Sequence, residues 1–398
     1  MTKASDTANI LKQPFTNTLG TSNYRAGVNT GNTIASGGNF NSSEATNFNS
    51  GTCNNDDCGL GEVEVVINIL TDQWAGETSW TVTNASNGNM YGIHGESGGS
   101  TVTFFDLGTA DEYSEFRKDM ASGHFMHTAS AFSFGENGNF ANSLEVKDAN
   151  NDPTGFFTGA SLWDSDWDIY ALINQNGPLN GSHLDMIHQS PYSVGIEWER
   201  DNVYWLFDGY HNAICEYDFA TPHQYGGDDH SDGTVKRYAE LQVEREPGVS
   251  SHMVLDHDSG LLYIADTGNQ RILRMDINSG NIQNSLSPYG EQLAGYWNMN
   301  GADWDVIINS GLEKPSGIDI HEDRLIVSDY ETGEIIFYDL SLNPVEEIGR
   351  ISTDNNGIMG IKIAPDFSIW YVNSSSNELV WISNSILLGD INFDELIN

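Results

Sequence analysis

The sequence predicts an all-β fold in which short four-stranded sheets stand radially around a shared axis, a β-propeller. Three observations predict it. In "IADTGNQRILRMD" the residues Asp266, Ile272 and Asp276 define a frame. The frame recurs at Asp208, Ile214 and Asp218, at Asp329, Ile335 and Asp339, and in a decayed copy at Asn373, Leu379 and Ser383. Each copy follows an upstream strand that ends a turn earlier: "SVGIEW" at Ser193, "SHMVLD" at Ser251, "PSGIDI" at Pro315 and "IMGIKI" at Ile358. The apolar runs are short, rich in β-branched and aromatic residues, and free of helical periodicity. A unit of strand, turn, strand, turn, strand and an outer fourth strand cannot bury both its faces alone. Set radially, successive sheets cover one another.

Within each copy the elements follow from residue type. The first hairpin turns are "ERDN", "HDSG", "HED" and "APDF", and the second strands are "VYWLF", "LLYIA", "RLIVS" and "SIWYV". The Asp that ends the second strand is expected to accept backbone N–H bonds within the next turn, as Asx-turns do, with a nearby Gly supplying the positive φ. The opening motif thus reads as structural punctuation.

The rest of the chain divides by composition. Residues 1–60 are rich in Asn, Gly, Ser and Thr and predict a flexible or irregular segment. Residues 61–123 contain alternating stretches between Glu62 and Ile93 and the run "STVTFFDL", which predict a small β unit. The propeller is expected over 124–386. Residues 387–398, "LLGDINFDELIN", resemble the opening of a dockerin-type calcium loop, with Asp390, Asn392 and Asp394 at the first, third and fifth ligand positions. Glu395 stands where the turn glycine is expected, and no bidentate ligand follows.

Charge narrows the partners. The 398 residues carry 57 Asp and Glu against 16 Lys and Arg, a formal net charge of −41. Nucleic acid and anionic membrane surfaces are poor partners for such a chain, because phosphate binding needs Lys and Arg. The same charge suits a solvated acidic surface or calcium held in acidic loops, of which "DSDWD" (164–168) and "GGDDHSDG" (226–233) are the densest. No apolar run reaches 18 residues, so no transmembrane helix is expected. The opening "MTKASDTANILKQP" has no apolar core of a signal peptide. Cys53 and Cys58 enclose "NNDD" and are spaced to close a disulfide in an oxidising compartment; Cys215, on an alternating strand, is expected to be a buried free thiol. Low Lys content and abundant Asn, Gly, Ser and Thr favour an extracellular or cell-surface location.

"SHMVLDHDSGLLYIADTGNQRILRMD" resembles the NHL family of propeller repeats, and the resemblance extends over about residues 190–383. Two weaker units, "HTASAFSFGENGNFANSLEV" and "GASLWDSDWDIYALI", precede it. Counted as two blades they give six, the common number in that family, with a small β-rich N-terminal extension.

Candidate chemistry centres on histidine. Propeller ligands sit near the axis at the starts of innermost strands. His252 occupies that place in "SSHMVLD", His188 lies just ahead of "SPYSVGIEW", and His127 just ahead of "TASAF". Imidazoles from different blades can share one central metal, with Zn or Cu the suitable ions. His124 and His183 also lie near candidate strand starts, whereas His257 and His321 fall in first hairpin turns. "DGYHN" (208–212) resembles the stretch that carries the catalytic Tyr of peptidyl-hydroxyglycine lyase propellers, which maps to Tyr210, with His252 at the position of a zinc-ligand His in the next blade. The last blade departs from that pattern: Ile358 and Met359 stand where a His is expected. The resemblance implies a metal that polarises a substrate hydroxyl while a base removes its proton. No phosphate loop, Ser nucleophile elbow or HExxH motif is present. The chain is therefore expected to be a ligand-, peptide- or protein-binding propeller with a metal at its axis. The alternative is a metal-dependent lyase, hydrolase or lactonase.

Overall fold

The computed structural model describes residues 99, 101–105, 113–353, 355–364, 368–376 and 378–382, together with strand backbone at 2–3, 10–12, 34–37, 67–68, 80–83 and 90–93. Cys53, Cys58 and the dockerin-like residues 387–398 lie outside the described residues, as does most of the segment 1–60.

The fold is an all-β propeller. Blade I consists of Ala129–Phe134, Asn139–Leu144, Ala160–Asp164 and His183–Ile187. Blade II consists of Ser193–Arg200, Val203–Asp208, Ala213–Asp218 and Thr234–Tyr238. Blade III uses Met253–Asp256, Leu261–Asp266, Arg271–Asp276 and Trp304–Ile308. Blade IV uses Pro315–His321, Arg324–Asp329, Glu334–Asp339 and Glu346–Ser352. Each is an antiparallel meander in chain order. A last sheet follows with Ile358–Ile363, Ile369–Asn373 and Glu378–Ile382. The first strands of successive sheets lie against one another, so they are innermost and the fourth strands are outermost.

The six-blade expectation is corrected. Among the described residues there are four complete four-stranded blades and one further sheet of three consecutive strands. The two weak units expected to be separate blades are one: "GASLWD" supplies only the third strand of blade I, and residues 165–182 after it are turns and loop. Their lack of the Asp–Ile–Asp frame was the sequence sign of this.

N-terminal strands extend the last two sheets. Thr2–Lys3 pairs in parallel with the outer strand of blade IV, and Ile10–Lys12 pairs antiparallel with Glu378–Ile382. Ile34–Gly37 pairs with Trp80–Thr83, and Met90–Ile93, Thr101–Phe105 and Tyr113–Arg117 form a three-stranded meander.

Strand periodicity of two builds the core. In "LLYIAD", Leu262 and Ile264 face blade II and pack with Trp205, Phe207 and Ile214, while Tyr263 and Ala265 face blade IV and pack with Leu325, Val327 and Ile336. Blade I covers blade II in the same way through Leu162, Ile187, Leu206 and Tyr217. Its other face is covered by Phe125, Met126 and Tyr170, from segments flanking the strands. Cys215 lies buried in the contact of blades I and II as a free thiol, and burial raises its pKa to about 12.

The repeated Asp does what its position demands. Asp208, Asp266 and Asp329 are all fully buried. Asp208 Oδ1 accepts from Tyr210 N at 3.1 Å and His211 N at 2.9 Å. Asp329 accepts from Glu331 N and Thr332 N, and also from Glu313 N at 2.6 Å in the segment entering the blade. Asp266 holds Glu244 N at 2.8 Å and Arg271 Nε at 2.7 Å. The left-handed residue of the turn stands four positions after each Asp: Asn212, Gln270 and Gly333. In the opening motif it is therefore Gln270, not the nearby Gly268, that has positive φ. Gly268 is required for closeness, since a Cβ there would lie 2.6 Å from Glu244 O.

The axis is closed by hydroxyls and one charged group. Ser130 Oγ donates to Ser193 O at 2.7 Å, Ser250 Oγ to Ser130 O at 2.8 Å and Ser316 Oγ to Ser250 O at 2.6 Å. Farther along the same inner strands, Lys362 Nζ donates to Asp319 Oδ1 at 2.6 Å, while Glu197 accepts from Ser133 Oγ and Leu255 N. Desolvation by the surrounding strands raises Glu197 to about 7, against the opposing pull of Lys362.

Two outcomes test this account. Asp329→Ala strands several buried N–H donors and is expected to cost roughly 2–4 kcal/mol in urea unfolding, while Asp276→Ala, at a partly exposed turn, costs less than about 1 kcal/mol. The second concerns pH. Glu197 keeps its proton in the folded state after the unfolded chain has lost it. Stability from this group is therefore full below the unfolded carboxylate range, falls as pH rises toward about 7, and is flat above. Glu197→Gln should remove that slope, which is at most about 1.4 kcal/mol per pH unit for one proton.

Candidate functional site

Two clefts lie side by side where blade I meets blade II, and His188 lines both. They exist because blade III lends a hairpin to blade II. After its third strand the chain forms Asn281–Ser285 and Gly295–Asn300 before returning to the outer strand of blade III. Gly295–Asn300 pairs in parallel with the outer strand of blade II, Thr234 opposite Gly295. The loop at the end of this hairpin carries Tyr289 and Glu291 to the blade I edge. Glu291 accepts from His188 N at 2.7 Å and from His188 Nδ1 at 2.8 Å.

The first cleft, of about 410 Å³, is lined by His124, Phe157, His188, His230, Asp228 and Glu291. Three imidazoles line it, His124, His188 and His230, and the row continues beyond it through His223 to His183. His124 and His188 have ring centroids 5.3 Å apart, His188 and His230 5.5 Å, His230 and His223 5.4 Å, and His223 and His183 4.9 Å. His188 is stacked on Phe157 at 3.6 Å, and His183 on Phe125 at 3.5 Å. Burial drives His183 down to about 3 and His124 to about 4, and lowers His188 against the pull of Glu291, so these rings are neutral at pH 7. His230 differs. Burial opposes its charge, but the hydrogen bond and charge of Asp185, at 2.7 Å, outweigh it and hold His230 above its ordinary value.

His124 Nε2 and His188 Nε2 face each other at 3.1 Å. Since His188 Nδ1–H is given to Glu291, His188 Nε2 accepts and His124 Nε2–H donates. The Asn150 amide then turns its NH₂ toward His124 Nδ1, 2.9 Å from the atom placed there as oxygen. That pair is complete in itself.

The second cleft, of about 320 Å³, is lined by Phe156, Tyr210, Tyr289, Tyr296, His188 and Arg237. Tyr210 and Tyr289 are 42% and 48% exposed and flank Phe156 with ring centroids 5.1 and 5.9 Å from it. Arg237 donates to Gln189 O at 3.0 Å and to Tyr296 Oη, and lies 3.7 Å from Asp208. Lys147 Nζ stands 4.3 Å from the Phe156 ring centre.

The sequence-predicted residues divide between these places. His127 and His252 precede the inner strands of blades I and III, as expected, but His188 follows the outermost strand of blade I. His127 is engaged by Thr128 and Asn151 at 3.0 Å each. Among the described residues, the group of His, Cys, Asp or Glu side chains whose ligand atoms all lie within 4.8 Å of one another is Asp185, His223 and His230. The axial trio of His127, His188 and His252 is not gathered, because the radial width of blade I separates its inner and outer strands. The acidic loops 164–168 and 226–233 likewise gather no carboxylate trio, and Asp164 and Asp166 cap backbone N–H groups two residues on. Tyr210 and His188 do line one cleft. His257 is exposed, as expected, and His321 partly buried. Sequence reasoning missed His223, His230 and Glu291. The signal for the first two was the pair of His in one acidic loop.

No protein-family model and no curated protein matches the sequence. Solved structures do resemble it in part. An auxiliary nutrient binding protein from Bacteroides ovatus is 11% identical, with a TM-score of 0.44, over 93% of this chain and 77% of that one. A catalytically inactive virginiamycin B lyase from Staphylococcus aureus, solved with quinupristin, is 13% identical with a TM-score of 0.43, over 73% and 79%. A putative 6-phosphogluconolactonase from Bacteroides uniformis is 10% identical with a TM-score of 0.41, over 72% and 74%.

Proposed function

We propose that this chain is an NHL-like ligand-binding propeller module of the cell surface or extracellular space, and that it holds a small ring-bearing anion in the cleft of Phe156, Tyr210, Tyr289 and Arg237. The observation that carries this reading is the pair of exposed tyrosines facing a common cleft. Large aromatic rings left in water at a concave site are platforms for a flat apolar or pyranose face. The charge of the ligand follows from its surroundings. In a chain with only 16 Lys and Arg, Arg237 lines this cleft and Lys147 stands against the ring of its Phe156. Asp208 offsets part of the Arg237 charge, so one anionic group on the ligand, not several, suits the site.

Binding is favoured over the lyase alternative by geometry. A lyase centred on Tyr210 needs a metal beside that phenol, and none of the gathered Asp185, His223 and His230 lines the Tyr210 cleft.

The test is a thermal-shift screen of the purified chain with galacturonate, glucuronate, benzoate and phenylacetate, followed by calorimetric titration. At least one probe is expected to bind saturably, with affinity reduced tenfold or more by Tyr210→Ala and severalfold by Lys147→Met. Both side chains are accessible enough to be replaced without unfolding the blade. If no probe binds, or binding is indifferent to both substitutions, the proposal fails.

A further inference from the structure

The row of histidines has a chemistry that a sugar or carboxylate cleft does not call for. His183 Nδ1 is tied to Asn180 O at 2.8 Å, His223 Nδ1 to Gln224 O at 2.7 Å, and His230 Nδ1 to Asp185 Oδ1 at 2.7 Å. A carbonyl or carboxylate oxygen only accepts, so in each ring Nδ1 carries the proton. In the neutral form of each ring the lone pair is then on Nε2, and on His230 a bound cation takes the place of the second proton that Asp185 favours. Three neighbouring rings are set in the same tautomer by three different oxygens. This is how metal-binding imidazoles are oriented, with the distal N–H held and the other nitrogen free.

Two of those free nitrogens are without any hydrogen-bond partner. His183 Nε2 and His223 Nε2 are both buried and unsatisfied, and His183 as a whole is 0% exposed. A buried acceptor left unpaired costs about 1–3 kcal/mol. The stack of His183 on Phe125 fixes its ring, so rotation to find another partner is closed to it. The contact of His124 with His188 needs no further partner, as shown above. The unsatisfied nitrogens are confined to the His183–His223–His230 end of the row.

We infer that Asp185, His223 and His230, with His183 beside them, form a binding site for one divalent transition-metal ion of the zinc class, off the propeller axis between the outer edges of blades I and II. His223 and His230 are the nitrogen ligands, His183 leaves its unsatisfied Nε2 beside His223, and Asp185 orients His230 and supplies negative charge. The ligand atoms of Asp185, His223 and His230 lie within 4.8 Å of one another. A tetrahedral ion with bonds of about 2.0–2.2 Å needs separations of roughly 3.3–3.5 Å, so the ligand atoms must close by up to about 1.5 Å as the ion enters. The loop 219–233 that carries both His223 and His230 is the long connection to the outer strand of blade II, so the ion would clamp that connection to blade I. Asp228 and Asp229, exposed beside His230, give the approach a negative field.

This site is independent of the proposed ligand cleft, and the experiment separates them. The full chain, purified without metal-affinity resin, is stripped with chelator and titrated with Zn²⁺ by calorimetry and with Co²⁺ by visible absorption. One ion per chain is expected, with the intense Co²⁺ bands of a tetrahedral site. His223→Ala and His230→Ala should weaken binding 100-fold or more, and Asp185→Asn tenfold or more. His124→Ala and Tyr210→Ala should leave one tight ion in place. Circular dichroism of each variant checks the fold, and His223→Gln serves where His223→Ala does not fold. The inference is overturned if the stripped, folded chain takes up no ion. It is equally overturned if His223 and His230 variants bind as before, or if His124→Ala abolishes binding instead.

Discussion

Among the described residues the second strands of the propeller blades are buried on both faces, and that constraint organises the rest. A strand such as Leu261–Asp266 sends Leu262 and Ile264 one way and Tyr263 and Ala265 the other, and all four are buried. Neither face can meet water, so each blade needs a cover on both sides, which neighbouring blades supply except on the far face of blade I, where Phe125, Met126 and Tyr170 do so. Small inner-strand residues follow from the same geometry. Gly195 and Gly317 lie where an added Cβ would come within 2.0 and 2.1 Å of Ser251 O and Met359 O in the next blade. Between them the serines donate their hydroxyls across the axis.

One recurrent class of buried polar group is set by the meander. Each second strand ends close to the segment that enters its blade, and a carboxylate there takes up the backbone N–H groups that no strand can satisfy. Asp208, Asp266 and Asp329 do this within or beside their turns, and Asn373 does it for Ser376 in the last sheet. Burying a charge without such donors would be costly. The repeat is therefore conspicuous as sequence because an Asp or Asn oxygen in that place serves the turns of blades II to IV and of the last sheet.

Function-bearing chemistry sits away from this repetition. The axis is filled by serines and the Lys362–Asp319 pair beside Glu197, and the cluster of ligand side chains found among the described residues, Asp185, His223 and His230, lies away from it. Irregular segments make the clefts instead: the loop 219–233 of blade II, the connection 145–159 between the second and third strands of blade I, and the hairpin that blade III extends over its neighbour. Rigid blades position these loops, which is how propellers commonly combine a fixed scaffold with variable sites.

The sequence by itself determined the class of fold, the strands of blades II to IV, the buried thiol at Cys215 and the punctuating Asp. Each of these depends on local periodicity or turn chemistry, which neighbouring residues carry. Blade I was legible only as strands, since without the Asp frame nothing local says whether two hairpins belong to one sheet or two. Tertiary structure alone decided which histidines meet. His188 stands just ahead of an inner strand in sequence, yet it ends the outer strand of the blade before. Its partners Glu291 and His230 come from loops whose lengths reveal neither direction nor reach. Spacing along the chain measures distance within a blade, and the site lies between blades, where the radial packing of whole sheets sets the distances.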